Sequence, residues 1–455
     1  MNPRITQLRN NSLNAENTLS AERALLVTEF YQSIGGNHIP VPLQRAKVFR
    51  HIMENKTICI LPDELIVGER GPQPKAAPTY PEISLHSLDD LEILHNRPKV
   101  SFRVDEATRR AYRDVIIPFW RGKTQRDRVF EAMGEEWKDA YKAGVFTEFQ
   151  EQRAPGHTVA GKKLFVSGMS DLHKEINATI EKLDFTNDPE AQNKKHQLEA
   201  MDMVAGAIIT FANRHAVALE KHASVEKDEQ RHNELMGMIR ICRRVLEYAP
   251  QTFHEALQHY WFIHIGVITE LNPWDSFNPG RLDQHLLPFY RKGLEDGSLT
   301  RERARELLQA FWIKFNNHPS PPKMGVTALE SNTYTDFALI NLGGIKEDGS
   351  DAVNELTYLI LDVIEEMRLL QPGSMVQISK KNPNQFVARA LKIIKTGFGQ
   401  PSFFNTDAIV QQLLSQGKSL TDARNGGASG CVETGAFGME AYTLSGYFNL
   451  NKVLE

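Results

Sequence analysis

Apolar residues recur at three- and four-residue intervals along several stretches of the 455-residue chain, the spacing that gathers them on one face of a helix. Leu198, Met201, Ala205, Ile208, Phe211 and Leu219 predict a long helix after the loop Asn187-Asp188-Pro189. Ala304, Leu307, Leu308, Phe311, Trp312 and Phe315 predict another, with Thr300 as its cap. Near the start, Ser20 is placed to cap a helix through Ala24, Leu25, Leu26, Phe30 and Tyr31 that ends at Gly35-Gly36. The Pro-rich stretch from Gly71 to Glu82 reads as loop. The block from Arg109 to Lys142, rich in charge and aromatics, reads helical.

From about Tyr334 the texture changes. Ala338 to Leu342 is a short apolar run closed by Gly343-Gly344, and a helix from Ala352 to Met367 follows with Asp351 placed to cap it. Met375 to Ile378 is again strand-like, and Asn382-Pro383 opens a helix with proline at its first position. Ser402 to Phe404 reads as strand, and Asn405-Thr406-Asp407 caps the next helix. Strands alternating with helices imply parallel β/α units, in a barrel or a wound sheet. No short-period repeat or low-complexity tract interrupts the pattern.

Composition narrows the function classes. Lys and Arg number 53 against 57 Asp and Glu, a net charge of −4, so there is no basic footprint for nucleic acid. No apolar run is long enough to span a membrane, and the polar start from Met1 to Asn11 does not resemble a signal peptide. Length suggests roughly three domains. The only cysteines are Cys59, Cys242 and Cys431, with no CxxC pair, which argues against a disulfide framework or a structural zinc site and for a cytoplasmic protein. Cys59 lies between Ile58 and Ile60, and Cys242 follows Ile241; both read as small buried apolar residues.

Cys431 differs. It sits in Gly426-Gly427-Ala428-Ser429-Gly430-Cys431-Val432-Glu433-Thr434-Gly435, where glycines permit close approach of a ligand or a second backbone. In an extended segment residues two apart face the same side, so the thiol and the Glu433 carboxylate can address one ligand. An adjacent anion raises a thiol pKa and opposes nucleophilic use. A thiyl radical needs no ionisation: the sulfur can move hydrogen atoms while the carboxyl group moves protons.

Ser429-Gly430-Cys431-Val432-Glu433 resembles the cysteine loop of glycyl radical enzymes, the pyruvate formate-lyase superfamily. Gly-Cys-Val-Glu is the pattern of its dehydratase and C–N or C–S lyase branches, whereas pyruvate formate-lyases proper carry adjacent cysteines. Gly280-Arg281-Leu282-Asp283-Gln284 is similar to the family's Gly-Arg-x-Asp-Gln motif. The resemblance runs from about residue 5 to the last residue. It implies a ten-stranded α/β barrel of two half-barrels surrounded by helices, here truncated to the helices plus about half the barrel. Residues 1–250 would form a mainly helical outer layer. Residues 251–455 would hold the first part of the barrel, with the cysteine loop at 426–435. No Arg-Val-x-Gly-Tyr-like radical motif is present, so the carboxyl-terminal glycyl radical domain is expected to be absent and the chain to be inactive alone.

Within the family, the stretches Thr147 to Thr158, Thr269 to Asp275, Glu330 to Phe337 and Ser445 to Tyr447 are similar to the hydroxyproline dehydratase branch. That resemblance implies removal of water from trans-4-hydroxy-L-proline to give 1-pyrroline-5-carboxylate. Cys431 would abstract hydrogen from the ring carbon beside nitrogen, and Glu433 and Asp275 would handle the departing hydroxyl. Ser331, Asp336 and His157 would hold the amino and carboxylate groups, and Phe149, Phe337 and Tyr447 would wall the ring. An anion, donors and apolar walls are what a small zwitterionic ring requires. The resemblance also implies no cofactor bound in this chain, a glycyl radical on the missing carboxyl-terminal half installed by a radical S-adenosylmethionine activase, and a homodimer when complete.

Singly, these residue types have commoner structural roles. Asp275, Ser331 and Asp336 suit turns or caps, Glu433 suits a solvated loop or a helix cap, His157 after Pro155-Gly156 suits a turn, the three aromatics suit a core, and Arg281 with Asp283 suits a pairing with barrel charges. Other functions stay open: another radical lyase such as a diol or amine eliminase, a non-radical cysteine enzyme, or a split or decayed product without activity.

Overall fold

The computed structural model describes residues 1–35, 39–148, 159–271, 277–324, 338–430, 433–440 and 446–455. The long stripe becomes the 33-residue helix Ala191–Ala223, whose inward face buries Ala205, Ile208, Phe211, Ala212, Ala216 and Leu219. It packs against helices Val41–Asn55 and Glu229–Arg244. Thr300 caps Arg301–Asn316 as expected, its hydroxyl accepting from the Arg303 amide at 3.1 Å.

The helix Phe253–Glu270 runs through the centre and is buried on nearly every side. Its polar side chains serve the irregular segment beside it, whose peptide groups would otherwise be orphaned in the core. Gln258 accepts from the Val67 amide at 2.9 Å and donates to the Val67 carbonyl at 2.8 Å. Trp261 Nε1 donates to the Gly68 carbonyl at 2.8 Å. Next to this helix lies a buried ionic cluster. Lys314 Nζ meets Glu64 Oε2 at 3.0 Å and Glu69 Oε1 at 2.5 Å, and His318 Nε2 lies 2.9 Å from Glu69 Oε2. Burial alone would raise the Glu69 carboxyl, but Lys314 and His318 hold it at about 2.

The strands are β1 (Thr18–Ser20), β2 (Ala76–Pro78), β3 (Phe146–Glu148), β4 (Leu339–Gly343), β5 (Gly373–Ile378), β6 (Ser402–Asn405), β7 (Gly427–Ser429), β8 (Glu433–Gly435) and β9 (Gly446–Phe448). Strands β4, β5 and β6 form a parallel sheet, with Leu339 opposite Gly373 and Met375 opposite Ser402. Parallel bridges Gly280–Ile340 and Val159–Asn278 extend it by two further tracks. Five parallel tracks therefore lie side by side, around 159, around 278–280, β4, β5 and β6. The helices Glu355–Met367 and Asn384–Ile394 make the crossovers between β4, β5 and β6, the connection a parallel pair requires. Along β4 the faces separate: Ile340 and Leu342 join the main core, whereas Leu339 packs with Met375, Ile409, Leu413 and Ala428 in a smaller cluster on the opposite face.

Several local expectations are corrected. Ser20 ends β1 and the helix that follows is Glu22–Ile34 with Ala21 at its cap position, although the Ser20 hydroxyl still accepts from the Glu22 amide at 3.3 Å. The Gly71-to-Glu82 loop contains β2, paired in parallel with β1. The 109–142 block is divided: Glu106–Ala111, a π turn Tyr112–Ile116, Ile117–Trp120, Gln125–Ala132 and Glu135–Lys142. Asn354, not Asp351, caps Glu355–Met367; Asp351 accepts instead from the Val353 amide and from Asn382 Nδ2. Pro383 occupies the cap of Asn384–Ile394 and not its first turn. Asn405 caps Thr406–Ser415 as expected. Arg281 and Asp283 bind the two peptide groups that flank the Gly343 Cα: Arg281 donates to the Gly343 carbonyl at 2.9 Å, and Asp283 accepts from the Gly343 amide at 2.9 Å. Gly343 and Gly344 have φ of 73° and 74°, where a Cβ would be strained, so the motif holds the turn that ends β4.

Two predictions follow from the core. Replacing Lys314 with Met leaves Glu64 and Glu69 buried without their cation, and chemical denaturation should report a loss of about 3–5 kcal/mol; a loss below about 1 kcal/mol would contradict an ionised cluster. Burial pushes His215 down to about 3, and His254, His259, His285 and His318 down to about 4. Unfolding returns each to about 6.5, so the unfolded chain binds more protons between those limits. Stability present above about pH 6.5 is therefore lost as pH falls toward 4. The thermal midpoint should drop steadily from about pH 7 to 5; a flat profile would show that these imidazoles are not buried neutral.

Candidate active site

The glycine-rich segment around Cys431 is a β hairpin. Strand β7 pairs antiparallel with β8, with Gly427 opposite Gly435, Ala428 opposite Thr434 and Ser429 opposite Glu433. Three residues, 430–432, connect the strands; Gly430 has φ of 52°, while Cys431 and Val432 lie outside the described residues. Directly opposed residues share a face, so Ser429 and Glu433 flank the tip on one side. Glu433 is half-buried. Ser429 is fully buried, and its hydroxyl makes no hydrogen bond among the described residues.

This finger lies along the sheet. Asn341, in the middle of β4, donates through Nδ2 to the Ala428 carbonyl at 2.9 Å and accepts through Oδ1 from the Ala428 amide at 3.1 Å. Gln377 of β5 donates to the Gly426 carbonyl at 3.0 Å. A Cβ on Gly427 would stand 2.3 Å from Asn341 Oδ1 and 2.6 Å from Gln377 Nε2, so the absent side chain is what admits the finger. The exit is held as well: the Gly438 amide donates to the Val159 carbonyl at 3.1 Å, and the backbones of Gly161 and Gly438 touch. A cleft of about 990 Å³ opens beside this exit, lined in part by Gly161, Arg281, His285, Phe437 and Gly438.

The contacts also give the finger a direction. Arg424 lies over the carboxyl end of β4 through Arg281, Gly426 is held by Gln377, which stands opposite Gly343, and Ala428 is held by Asn341, two residues nearer the start of β4. The hairpin thus advances from the carboxyl rim of the parallel strands toward their amino rim. The tracks that begin at that rim start at Val159, Phe277 and Ala338, immediately after residues 149–158, 272–276 and 325–337.

Those three segments contain most of the expected site residues. Phe149, His157, Asp275, Ser331, Asp336 and Phe337 all lie outside the described residues, as does Cys431. Tyr447 is placed by its backbone alone, opposite Thr147 in the antiparallel pair β3–β9 at the edge of the 149–158 segment. Glu433 is the one expected residue whose side chain is described. The sequence reading missed Asn341, Gln377 and Asn278, the last accepting from the Leu339 amide at 2.6 Å. For Asn341 and Gln377 the signal was a single amide-bearing residue inside a short apolar run; Asn278, in Phe277-Asn278-Pro279, carried none.

The other cysteines offer no nucleophile. Burial pushes the Cys59 thiol up to about 12 and also raises Cys242, which is fully enclosed. Among the described residues no group of three His, Cys, Asp or Glu could hold a metal ion, and no helix is long and apolar enough to cross a membrane.

Comparison with known proteins agrees with this geometry. The chain is 53% identical over 452 residues to trans-4-hydroxy-L-proline dehydratase of Clostridioides difficile, covering 99% of this chain and 57% of that protein. The crystal structure of the C. difficile hydroxyproline dehydratase with trans-4-hydroxy-L-proline bound superposes with a TM-score of 0.96 at 52% identity, over 100% of this chain and 57% of that one. A structure concerned with 1,2-propanediol dehydration in Roseburia inulinivorans superposes with a TM-score of 0.93 at 29% identity, over 100% of this chain and 54% of that one. The chain thus spans little more than half the length of the relatives it matches. The pyruvate formate lyase-like family model matches residues 1–455. With the parallel half-sheet, the threaded cysteine hairpin and this match from end to end, the chain belongs to the pyruvate formate lyase-like family, among the glycyl radical enzymes.

Proposed function

We propose that this chain is the thiyl-bearing part of a dehydratase that removes water from trans-4-hydroxy-L-proline to give 1-pyrroline-5-carboxylate. The observation that carries the reading is 53% identity across 99% of the chain with a hydroxyproline dehydratase. The course of the finger supports it. The hairpin that bears Cys431 advances toward the rim at which the tracks preceded by Phe149, His157, Asp275, Ser331, Asp336 and Phe337 begin.

In this reading a thiyl radical at Cys431 takes a hydrogen atom from the ring carbon beside nitrogen, leaving S–H and a carbon radical. The 4-hydroxyl departs as water once it receives a proton, and the ring nitrogen loses one; Glu433 and Asp275 have the acid–base chemistry to carry these protons. Cys431 then returns the hydrogen atom and regains its radical, so each turnover removes one water and consumes no electron. Ser331, Asp336 and His157 hold the amino and carboxylate groups, and Phe149, Phe337 and Tyr447 wall the ring. The radical equivalent is supplied by a glycyl radical in a carboxyl-terminal part outside these 455 residues, installed by a radical S-adenosylmethionine activase. The complete protein is a cytoplasmic homodimer. Division into a helical outer layer, 1–250, and a first half-barrel, 251–455, belongs to the same proposal.

The test is anaerobic. The chain is supplied with the radical-bearing remainder of the C. difficile relative and its activase, and the glycyl radical is confirmed by electron paramagnetic resonance. Hydroxyproline should be converted to pyrroline-5-carboxylate. Cys431→Ser should abolish turnover with the glycyl signal intact, and Glu433→Gln should reduce it about 10²–10⁴-fold, the usual contribution of a positioned acid–base group. A radical-bearing assembly that leaves hydroxyproline untouched but dehydrates a diol, or cleaves isethionate as relatives at 30% identity do, would overturn the substrate assignment.

A further inference from the structure

One edge of β7 pairs with β8, and the other is held to the sheet by side chains. The carbonyls of Arg424, Gly426 and Ala428, every second residue, accept from Arg281 at 2.7 Å, Gln377 at 3.0 Å and Asn341 at 2.9 Å. The donors are buried and tied to the sheet: Arg281 also donates to the Gly343 carbonyl at 2.9 Å, and Gln377 Nε2 lies 3.4 Å from Asn341 Oδ1. Between Gly426 and Ala428 the alternation is that of a β ladder, with two side chains in place of a partner strand on that edge, while the Arg424 carbonyl ends the helix Leu420–Arg424.

We infer that Asn341, Gln377 and Arg281 are positioning residues for Cys431, fixing how far the finger extends along the sheet. Alternation by two makes the fixing discrete. A slip of one residue turns every second carbonyl away from its donor and strands buried N–H groups. It would also carry the tip about 3.3 Å along the sheet, as large as the separation at which reacting atoms must be held. A finger withdrawn by one residue would carry the Ala428 Cβ into the Gly427 position, where a Cβ meets Asn341 Oδ1 at 2.3 Å. The inference rests on the reading that Cys431 is the reacting thiol, and it adds where the precision of that thiol comes from.

The experiment uses the 455-residue chain with Asn341→Leu, Gln377→Met and Arg281→Lys. Three quantities are followed: the thermal midpoint, amide hydrogen exchange along 424–435, and iodoacetamide alkylation of Cys431 against Cys59 and Cys242. In Asn341→Leu and Gln377→Met, exchange along the finger should rise about tenfold or more, as expected for lost buried hydrogen bonds. Alkylation of Cys431 should change severalfold, with exchange of Phe253–Glu270 and labelling of Cys59 and Cys242 as in the parent. Arg281→Lys keeps one donor and should fall between the two. If Asn341→Leu does not fold, Gln377→Met, which loses only one bond to the finger, decides the matter. Finger exchange that rises only in step with the rest of the molecule, or stays at the parental rate in every folded variant, would overturn the inference. In the completed, radical-bearing assembly the folded variants should lower kcat while KM and the glycyl signal stay at parental values. Failure of the parent to use hydroxyproline would defeat the substrate reading alone, since the exchange and alkylation results do not depend on it.

Discussion

A pair of hydrogen bonds between one side-chain amide and the backbone of one residue underlies the arrangement. Asn341 satisfies both the amide and the carbonyl of Ala428, and so lets a polar backbone lie across the face of a parallel sheet without water. A buried peptide group with no partner costs roughly 1–3 kcal/mol. The alternatives, another strand or a wet channel, would fill or flood the space a substrate needs. An apolar residue at 341 would make β4 a more ordinary strand and leave the Ala428 amide and carbonyl without the partner they have here.

The sheet is arranged to serve this purpose. Its β4 residues alternate between the main core, through Ile340 and Leu342, and the finger face, through Leu339 and Asn341. The Gly280–Asp283 motif pins the far end of β4 by binding both the amide and the carbonyl of Gly343, and Arg281 reaches on to the base of the finger. Parallel strands place their starting ends together, so segments distant in the chain enter the sheet at a common rim, the one toward which the finger advances. Closed β/α barrels ordinarily place chemistry at the opposite, carboxyl-terminal face; a hairpin running back along the strands is a way to use the other rim.

The helical layer follows a different logic, in which polar groups within the core are matched to irregular backbone. Gln258 and Trp261 complete the segment around Val67 and Gly68, and the Lys314 cluster joins that segment to the end of the Arg301–Asn316 helix. This construction makes the molecule dependent on pH, because histidines that are neutral inside must take up protons when they leave.

Local pattern was enough to identify what depends on near neighbours: the stripes of Ala191–Ala223 and Arg301–Asn316, the caps at Thr300 and Asn405, and the alternation of strand and helix from β4 onward. It did not reveal the Phe253–Glu270 helix, because a helix buried on all sides has no polar face to create a period. It placed the cap one residue early at Ser20, and it misassigned Asp351, whose carboxylate is taken by the Val353 amide and Asn382 while Asn354 caps the helix. Above all, it could not show that Arg281 and Asp283 grip peptide groups instead of pairing with charges, or that Asn341 and Gln377 belong to the site. An amide in an apolar run has no meaning until a strand some 87 residues later in the chain is laid against it. Chemistry carried by one side chain is legible in sequence; the register at which two distant backbones meet is decided only when the chain closes on itself.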